Sequence, residues 1–477
     1  MSELFVSSSQ EKIESMDNVS LLHPPSNDIL ENENPEDELS FFLDKDIPNI
    51  EEWVYKIFKK CYNKNDLIYP CLYFDEIFIE SKIKEWTTIL PWIHPYYDLK
   101  ANNFPLFLKK LLKYNLFGFN VSSPKELYKI QKCWIENYKE EHKDELEENQ
   151  KPSSDECESF MKRILYSYPI ASPFQMKTML EQKLNLLVID SIEQIKLYHH
   201  LWSQNLCEFN IKINVLIRIG VNIESQEKES VPFLENKFGA NSDQIKEILD
   251  FFGTTKDLSF ECIGFSFHVG SNYLDPKIFN STLKKIILGW IPYSIEKHQL
   301  DIKMIDIGGG FDPNFSLQIY EPILKQWKEK AEEKSYNLKW IAEPGRYFCA
   351  NAFHLISRVQ SIKWKNKKQI VYIEDGCYGY LNEIIFNKKK YYPLPLYDNS
   401  VKKVELFNTT IYGPSCHDVD KIIEDLEFPE LKIGDPIWFP NIGAYSLVNS
   451  TDFNGFEPSP LLPINLQSIY SDKKDTE

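Results

Sequence analysis

The sequence predicts an α/β protein: a (β/α)8 TIM-like barrel followed by a C-terminal, mainly β domain. Eight short strand-like apolar runs alternate with helical segments, the tally of a closed barrel. After about residue 352 the character changes to repeated strand-like segments. A chain of 477 residues, 43% hydrophobic, is also long enough to bury more than one core.

Taken in order, residues 1–48 are rich in Ser, Asn, Asp and Glu, too polar to repay the entropy of ordering, and read as a disordered acidic tail. Residues 49–90 carry apolar residues at helical spacing, Ile50, Trp53, Val54, Ile57 and Phe58, then a strand-like run at 67–74; this segment is expected to join the β domain. The barrel is expected over 91–352, with strands at 92–99, 117–121, 163–167, 186–189, 213–219, 261–268, 304–307 and 339–343. An acidic insertion near 138–156 interrupts it and reads as a surface loop. Residues 353–477 form the β domain, with strands at 369–373, 400–410 and 436–439.

Composition excludes several function classes. A net charge of -17 leaves no basic stripe for nucleic acid, and the run Lys388, Lys389, Lys390 reads as a solvated loop. Nine irregularly spaced cysteines make neither a disulfide framework nor a metal site, which points to a reducing compartment. No apolar run approaches membrane-spanning length and no leader pattern is visible, so the expected location is cytoplasmic.

Four stretches can carry chemistry. In His94-Pro95-Tyr96-Tyr97-Asp98-Leu99-Lys100-Ala101-Asn102 a lysine ends a buried run. Desolvation there would lower its pKa and make the amine nucleophilic toward an aldehyde; alternatively the lysine simply turns out to solvent. His268, at the end of another strand and followed by Gly270 and Ser271, is either functional or a hydrogen-bonded core histidine. Gly308-Gly309-Gly310 lets backbone N–H groups approach an anion, or is a flexible turn. Glu343 and Arg346, in Ala342-Glu343-Pro344-Gly345-Arg346, can serve a cationic ring nitrogen and a phosphate, or pair with one another.

Together, in this order and roughly this spacing, these stretches resemble the fold type III pyridoxal phosphate enzymes of the ornithine decarboxylase family. The resemblance runs from about Ile50 to Tyr470 and continues in Glu374-Asp375-Gly376-Cys377-Tyr378-Gly379, Tyr412-Gly413-Pro414-Ser415-Cys416, Asn441-Ile442-Gly443-Ala444-Tyr445 and Phe453-Asn454-Gly455-Phe456. It implies that Lys100 anchors pyridoxal 5'-phosphate covalently and that His268 stacks on the pyridine face. Ser271, Gly308, Gly309, Gly310, Arg346 and Tyr445 would hold the phosphate, and Arg218 would lie near the ring hydroxyl. Glu343 would keep the pyridine nitrogen protonated, and Cys416 would return a proton after decarboxylation. In this family the cysteine comes from the partner subunit, so the resemblance also implies a homodimer, and an antizyme-like regulator is a further expected partner. No metal is implied.

The chain departs from the family at the substrate end. Two carboxylates that hold the distal amine of a basic amino acid are replaced by Asn387 and His417, beside Phe453. Charge-assisted hydrogen bonds contribute about 1.5–3 kcal/mol each, so losing both would cost roughly 10²-fold to 10⁴-fold in discrimination. Asp418 can compensate by a one-residue shift of its loop. Asn120 stands in place of the family's aspartate near the lysine, and Ala171 in place of a lysine. Three readings follow: decarboxylation of L-ornithine to putrescine in polyamine biosynthesis, decarboxylation of another amino acid, or a catalytically silent regulator resembling the antizyme inhibitors.

Overall fold

The computed structural model describes residues 71–143, 151–204, 212–221, 237–255, 260–270, 276–396, 405–459 and 461–462. The tail expected at 1–48, the helical pattern at 50–58 and Ser271 lie outside the described residues. The chain divides into two compact units. One comprises Glu76–Ala352 with the short segment Gly443–Val448; the other takes Phe353–Ile442 and the described residues before Glu76 and after Val448.

In the second of these, β1 (Cys71–Phe74) precedes everything else and pairs antiparallel with a later strand. The first unit is a closed parallel barrel of β2 (Ile93–Asp98), β3 (Gly118–Val121), β4 (Ile164–Tyr166), β5 (Leu186–Ile189), β6 (Ile213–Arg218), β7 (Phe260–Ser266), β8 (Met304–Asp306) and β9 (Lys339–Ala342), with β9 returning to β2. All eight expected strands are there, each within two residues of its expected ends. Their short apolar runs suit strands buried on both faces. Tyr96, Leu165, Leu186, Val188, Leu216, Ile263, Met304 and Ile341 cluster as a packed core. Several helices between strands begin where the sequence supplies caps. Ser123 accepts from Glu126 N before Pro124–Glu141, and Ser172 and Gln175 form a capping box before Pro173–Glu181.

The acidic insertion differs from the expected loop. Its described parts are two helix ends: Pro124–Glu141 runs past Tyr138, and Ser154–Met161 opens on a capping box between Ser153 and Glu156. The buried stripe of the first helix, Leu127, Ile130, Cys133 and Asn137, ends before the insertion, whose described residues stay at the surface, so the expected surface position holds and only the loop conformation differs. The Tyr138 hydroxyl donates to Glu156 Oε1 at 2.6 Å, tying the two helix ends together.

The other unit is a mixed sheet in the order β12-β15-β10-β11-β13-β14, formed by β10 (Phe353–Lys365), β11 (Lys368–Ile373), β12 (Leu394–Pro395), β13 (Leu406–Tyr412), β14 (Lys421–Pro429) and β15 (Pro436–Phe439). β1 joins β10, and β16 (Leu461–Leu462) joins β1. The pairings are antiparallel except β11 with β13 and β1 with β16. Lys389 corrects the solvated-loop reading of its lysine run: it is buried, its ammonium donating to Asn441 O at 3.4 Å.

Candidate active site

The site is built at the carboxyl-terminal mouth of the barrel, where each strand ends and its backbone direction changes. β2 stops at Asp98, and Lys100 sits in the turn beyond it, closed by Ala101 N donating to Asp98 O at 3.0 Å. Lys100 ion-pairs with Asp98, whose side chain is 5% exposed, while the lysine keeps 44% of its own surface accessible. The amine is therefore reachable. Burial pulls the Lys100 pKa down, but Asp98, Tyr445 and Glu343 outweigh it and raise it above the ordinary lysine value. This corrects the expectation of a lowered pKa: the lysine faces acidic groups rather than an apolar pocket.

A carboxylate pair faces the same mouth. Glu343, directly after β9, accepts from Asn120 Nδ2 at 2.6 Å and from Ser167 Oγ at 3.5 Å. Asp306 ends β8; its Oδ1 accepts from Gly308 N at 2.9 Å and its Oδ2 from Ser266 Oγ at 2.8 Å. Burial, reinforced by Asp306, pushes Glu343 up to about 8, and burial raises Asp306 as well. Burial of two neighbouring acids disfavours ionising both at once, and a cation entering beside them favours the second charge. Arg218, the last residue of β6, is one positive group acting on both.

The triglycine forms a close-walled concavity. Gly308 and Gly310 have φ of 67° and 106°, and a Cβ on Gly309 would lie 2.9 Å from Glu343 O and 3.0 Å from His268 Cε1. Gly309 N–H donates to His268 Nδ1 at 2.9 Å, so Nδ1 is an acceptor and the ring proton belongs on Nε2. Burial, then Lys100 and Arg218, hold His268 well below the usual histidine range, which keeps the ring neutral.

Arg346, on the short helix Gly345–Cys349, places its guanidinium 4.7 Å from the centre of the Tyr445 ring. Tyr445 is delivered by Gly443–Val448: Tyr445 N donates to Ala101 O at 2.7 Å, and Asn102 Nδ2 donates to Gly443 O at 2.9 Å. Gly443 has no alternative there, since a Cβ would fall 1.6 Å from Cys349 O. Lys100, Arg218, His268, Gly308, Gly309, Gly310, Glu343, Arg346 and Tyr445 therefore belong to one unit and converge on one barrel mouth. Ser271 lies outside the described residues.

The remaining candidates belong to the other unit. Asp420 organises their loop, accepting from Cys377 N at 2.8 Å and Ser415 N at 2.9 Å. Cys416 is exposed, and its N–H donates to Asn454 Oδ1 at 3.0 Å. The Tyr378 hydroxyl and His417 Nδ1 are hydrogen-bonded, and His417 Nε2 lies 3.4 Å from Asp418. Tyr378 stacks on Phe453 with ring centres 4.2 Å apart. Asn387 ends the helix Glu383–Asn387, and its side chain is outside the described residues.

Sequence reasoning missed Asp98, Asp306 and Asn102. Asp98 was detectable as an acid two residues before the lysine, and Asp306 as the acid that enters the triglycine. Among the described residues no cluster of three His, Cys, Asp or Glu side chains is placed to hold a metal ion, and no helix is long and apolar enough to cross a membrane.

The profile of the family described as "Pyridoxal-dependent decarboxylase, pyridoxal binding domain" matches residues 77–350. The chain belongs to that family, the pyridoxal phosphate-dependent amino acid decarboxylases of the ornithine decarboxylase-like group. A probable ornithine decarboxylase of Dictyostelium discoideum is 27% identical over 398 residues, covering 80% of this chain and 76% of that one. Antizyme inhibitor 2 of Xenopus laevis is 26% identical over 388 residues, covering 78% and 76%. The arginine decarboxylase of Paramecium bursaria Chlorella virus shares the fold, with a TM-score of 0.71 at 24% identity over 86% of this chain and 99% of that one.

The residues present fit pyridoxal phosphate. The glycine concavity excludes side chains and suits a phosphate, the Arg346 guanidinium supplies positive charge, the acid pair suits a ring nitrogen, and the Lys100 amine suits an aldehyde. Asp98 Oδ1 and Asn120 Oδ1, both buried, have no hydrogen-bond partner among the described residues, as expected of a pocket lined for a polar occupant.

Proposed function

We propose that this chain is an active decarboxylase of a basic amino acid, with L-ornithine as substrate and putrescine as product, working in polyamine biosynthesis in the cytoplasm. The observation that carries this reading is the convergence of Lys100, Glu343, His268, Gly308–Gly310, Arg346 and Tyr445 on one barrel mouth. A chain with no use for the cofactor has no chemical reason to keep this set.

When bound, pyridoxal phosphate supplies a protonated heterocycle that accepts the electron pair left as the carboxyl group departs as carbon dioxide. Lys100 would anchor it through Nζ, and Glu343 would keep the ring nitrogen protonated. Neutral His268 and Arg218 would hold the ring, and Ser271, the glycine N–H groups, Arg346 and Tyr445 would hold the phosphate. Cys416 Sγ supplies the proton that replaces the carboxyl group on the α carbon. Cys416 would serve the site of a partner subunit in a homodimer, Asn387 and His417 would stand on opposite sides of that interface at the far end of the substrate, with Phe453 also binding substrate, and an antizyme-like protein is a candidate regulator.

A second reading, decarboxylation of a different basic or acidic amino acid, is favoured by one observation. His417 occupies a position where a carboxylate was expected, and its ring nitrogens already face Tyr378 and Asp418. Release of carbon dioxide from a panel of amino acids, with cofactor supplied, tests both. Ornithine as the best substrate supports the first, another basic or an acidic amino acid the second, and no release from any points to a silent regulator.

A further inference from the structure

Asp98 is the buried acid whose role the family chemistry leaves open. Its Oδ2 contacts the Lys100 ammonium, its side chain is 5% exposed, and its Oδ1 has no hydrogen-bond partner among the described residues. A carboxylate so deeply buried persists as an anion only against a fixed cation, and Lys100 is that cation. The register of the barrel adds a second observation. Asp98 and Asn120 are Cα partners on β2 and β3. Asn120 stands where the resemblance expects an aspartate, and its amide is committed to Glu343. The acid next to the lysine is thus carried by the neighbouring strand, at the matching level, leaving Asn120 to serve Glu343.

We propose that Asp98 is the proton partner of Lys100, holding it as an ammonium while the amine is unattached and taking up the proton it sheds on bonding the cofactor's aldehyde carbon. This rests on the reading of Lys100 as the anchor. The step balances: of the three ammonium protons, two leave in the water formed from the aldehyde oxygen, and the third passes to Asp98. Burial raises the proton affinity of Asp98 against the pull of Lys100. Glu343 and Tyr445 also act on Lys100 from beyond β9 and from Gly443–Val448, and Lys100 in turn acts on His268 and Glu126. Among the described residues Asp98 is the acid in direct ion-pair contact with it.

The test measures how readily Lys100 is acetylated by acetic anhydride across pH in the full-length protein freed of cofactor, with Lys132, whose side chain is 80% exposed, as the reference in the same digest. The wild type is expected to acetylate Lys100 at least about 10-fold less readily than Lys132 near neutral pH, one pKa unit being tenfold. Asp98→Asn and Asp98→Ala should erase most of that gap, and Asp98→Glu should keep it. Equal reactivity of Lys100 and Lys132 in the wild type overturns the proposal whether or not any variant folds; so does a gap unchanged in folded Asp98→Asn and Asp98→Ala. Pyridoxal phosphate attachment, followed by visible absorbance on the same samples, separates the two ideas. If the acetylation gap is present but no cofactor attaches to Lys100, the anchor reading and the proton uptake that depends on it both fail, and only the holding of Lys100 as an ammonium stands.

Discussion

The side-chain amide of Asn120 donates to Glu343 Oε2 at 2.6 Å, so the ends of β3 and β9 are joined across β2 at the barrel mouth. Both residues are buried, and the bond fixes which Glu343 oxygen is engaged from this side. Asn120→Ala should destabilise the protein by about 1–3 kcal/mol, with the larger loss above about pH 8, where Glu343 is ionised and the bond is charge-assisted. Urea unfolding at two pH values reads this directly. An effect independent of pH would mean Glu343 is not the group that Asn120 serves.

Glu343 also makes cofactor-free stability depend on pH. Its folded pKa of about 8 exceeds the ordinary 4.5, so the native state binds the proton more tightly than the unfolded chain. Stability is therefore highest below the lower value and falls as pH rises through the window, by up to roughly 1.4 kcal/mol per pH unit. Asp306 acts in the same direction. Glu343→Gln should flatten this fall in thermal melts between about pH 5 and pH 9 while lowering decarboxylation on the order of 10²-fold to 10³-fold.

Gly443 is the hinge on which Tyr445 reaches the barrel. Gly443→Ala drives a methyl group to within 1.6 Å of Cys349 O and should cost about 3 kcal/mol or more, detaching Gly443–Val448. Arg346→Ala is a milder probe. It should weaken pyridoxal phosphate binding about 10-fold to 100-fold through loss of one or two charge-assisted bonds, and excess cofactor should restore activity. Fluorescence titration of the cofactor distinguishes the two variants, since added cofactor cannot repair the first.

His417 tests substrate choice. His417→Asp puts a carboxylate where the resemblance expects one and should raise kcat/KM for ornithine about 10-fold to 100-fold relative to the other amino acids of the panel. An unchanged ranking would remove His417 from the specificity argument.

The barrel was legible because its strands are short apolar runs at regular spacing, and those runs reappear as β2 to β9 with ends moved by at most two residues. The candidate site was legible as residue types at strand ends, since Lys100, His268 and Glu343 each follow a strand. What the pattern hid was the company those residues keep. Lys100 was read as desolvated by apolar neighbours, yet Asp98, two residues earlier in its own segment, reverses the sign of its pKa shift. The join of Asn120 to Glu343 spans 223 positions, a separation at which no local spacing rule operates. The stretch at 138–156 was misread in conformation, not in exposure, because its acids equally suit the surface ends of two helices.

The central claim is that Lys100 carries the cofactor opposite Glu343. Borohydride reduction of the cofactor-loaded protein, followed by digestion and peptide mass measurement, tests it most directly. The account predicts the mass of reduced pyridoxal phosphate on the Lys100 peptide, absent in Lys100→Ala. The same mass on another lysine, or on none in protein supplied with cofactor, would contradict it.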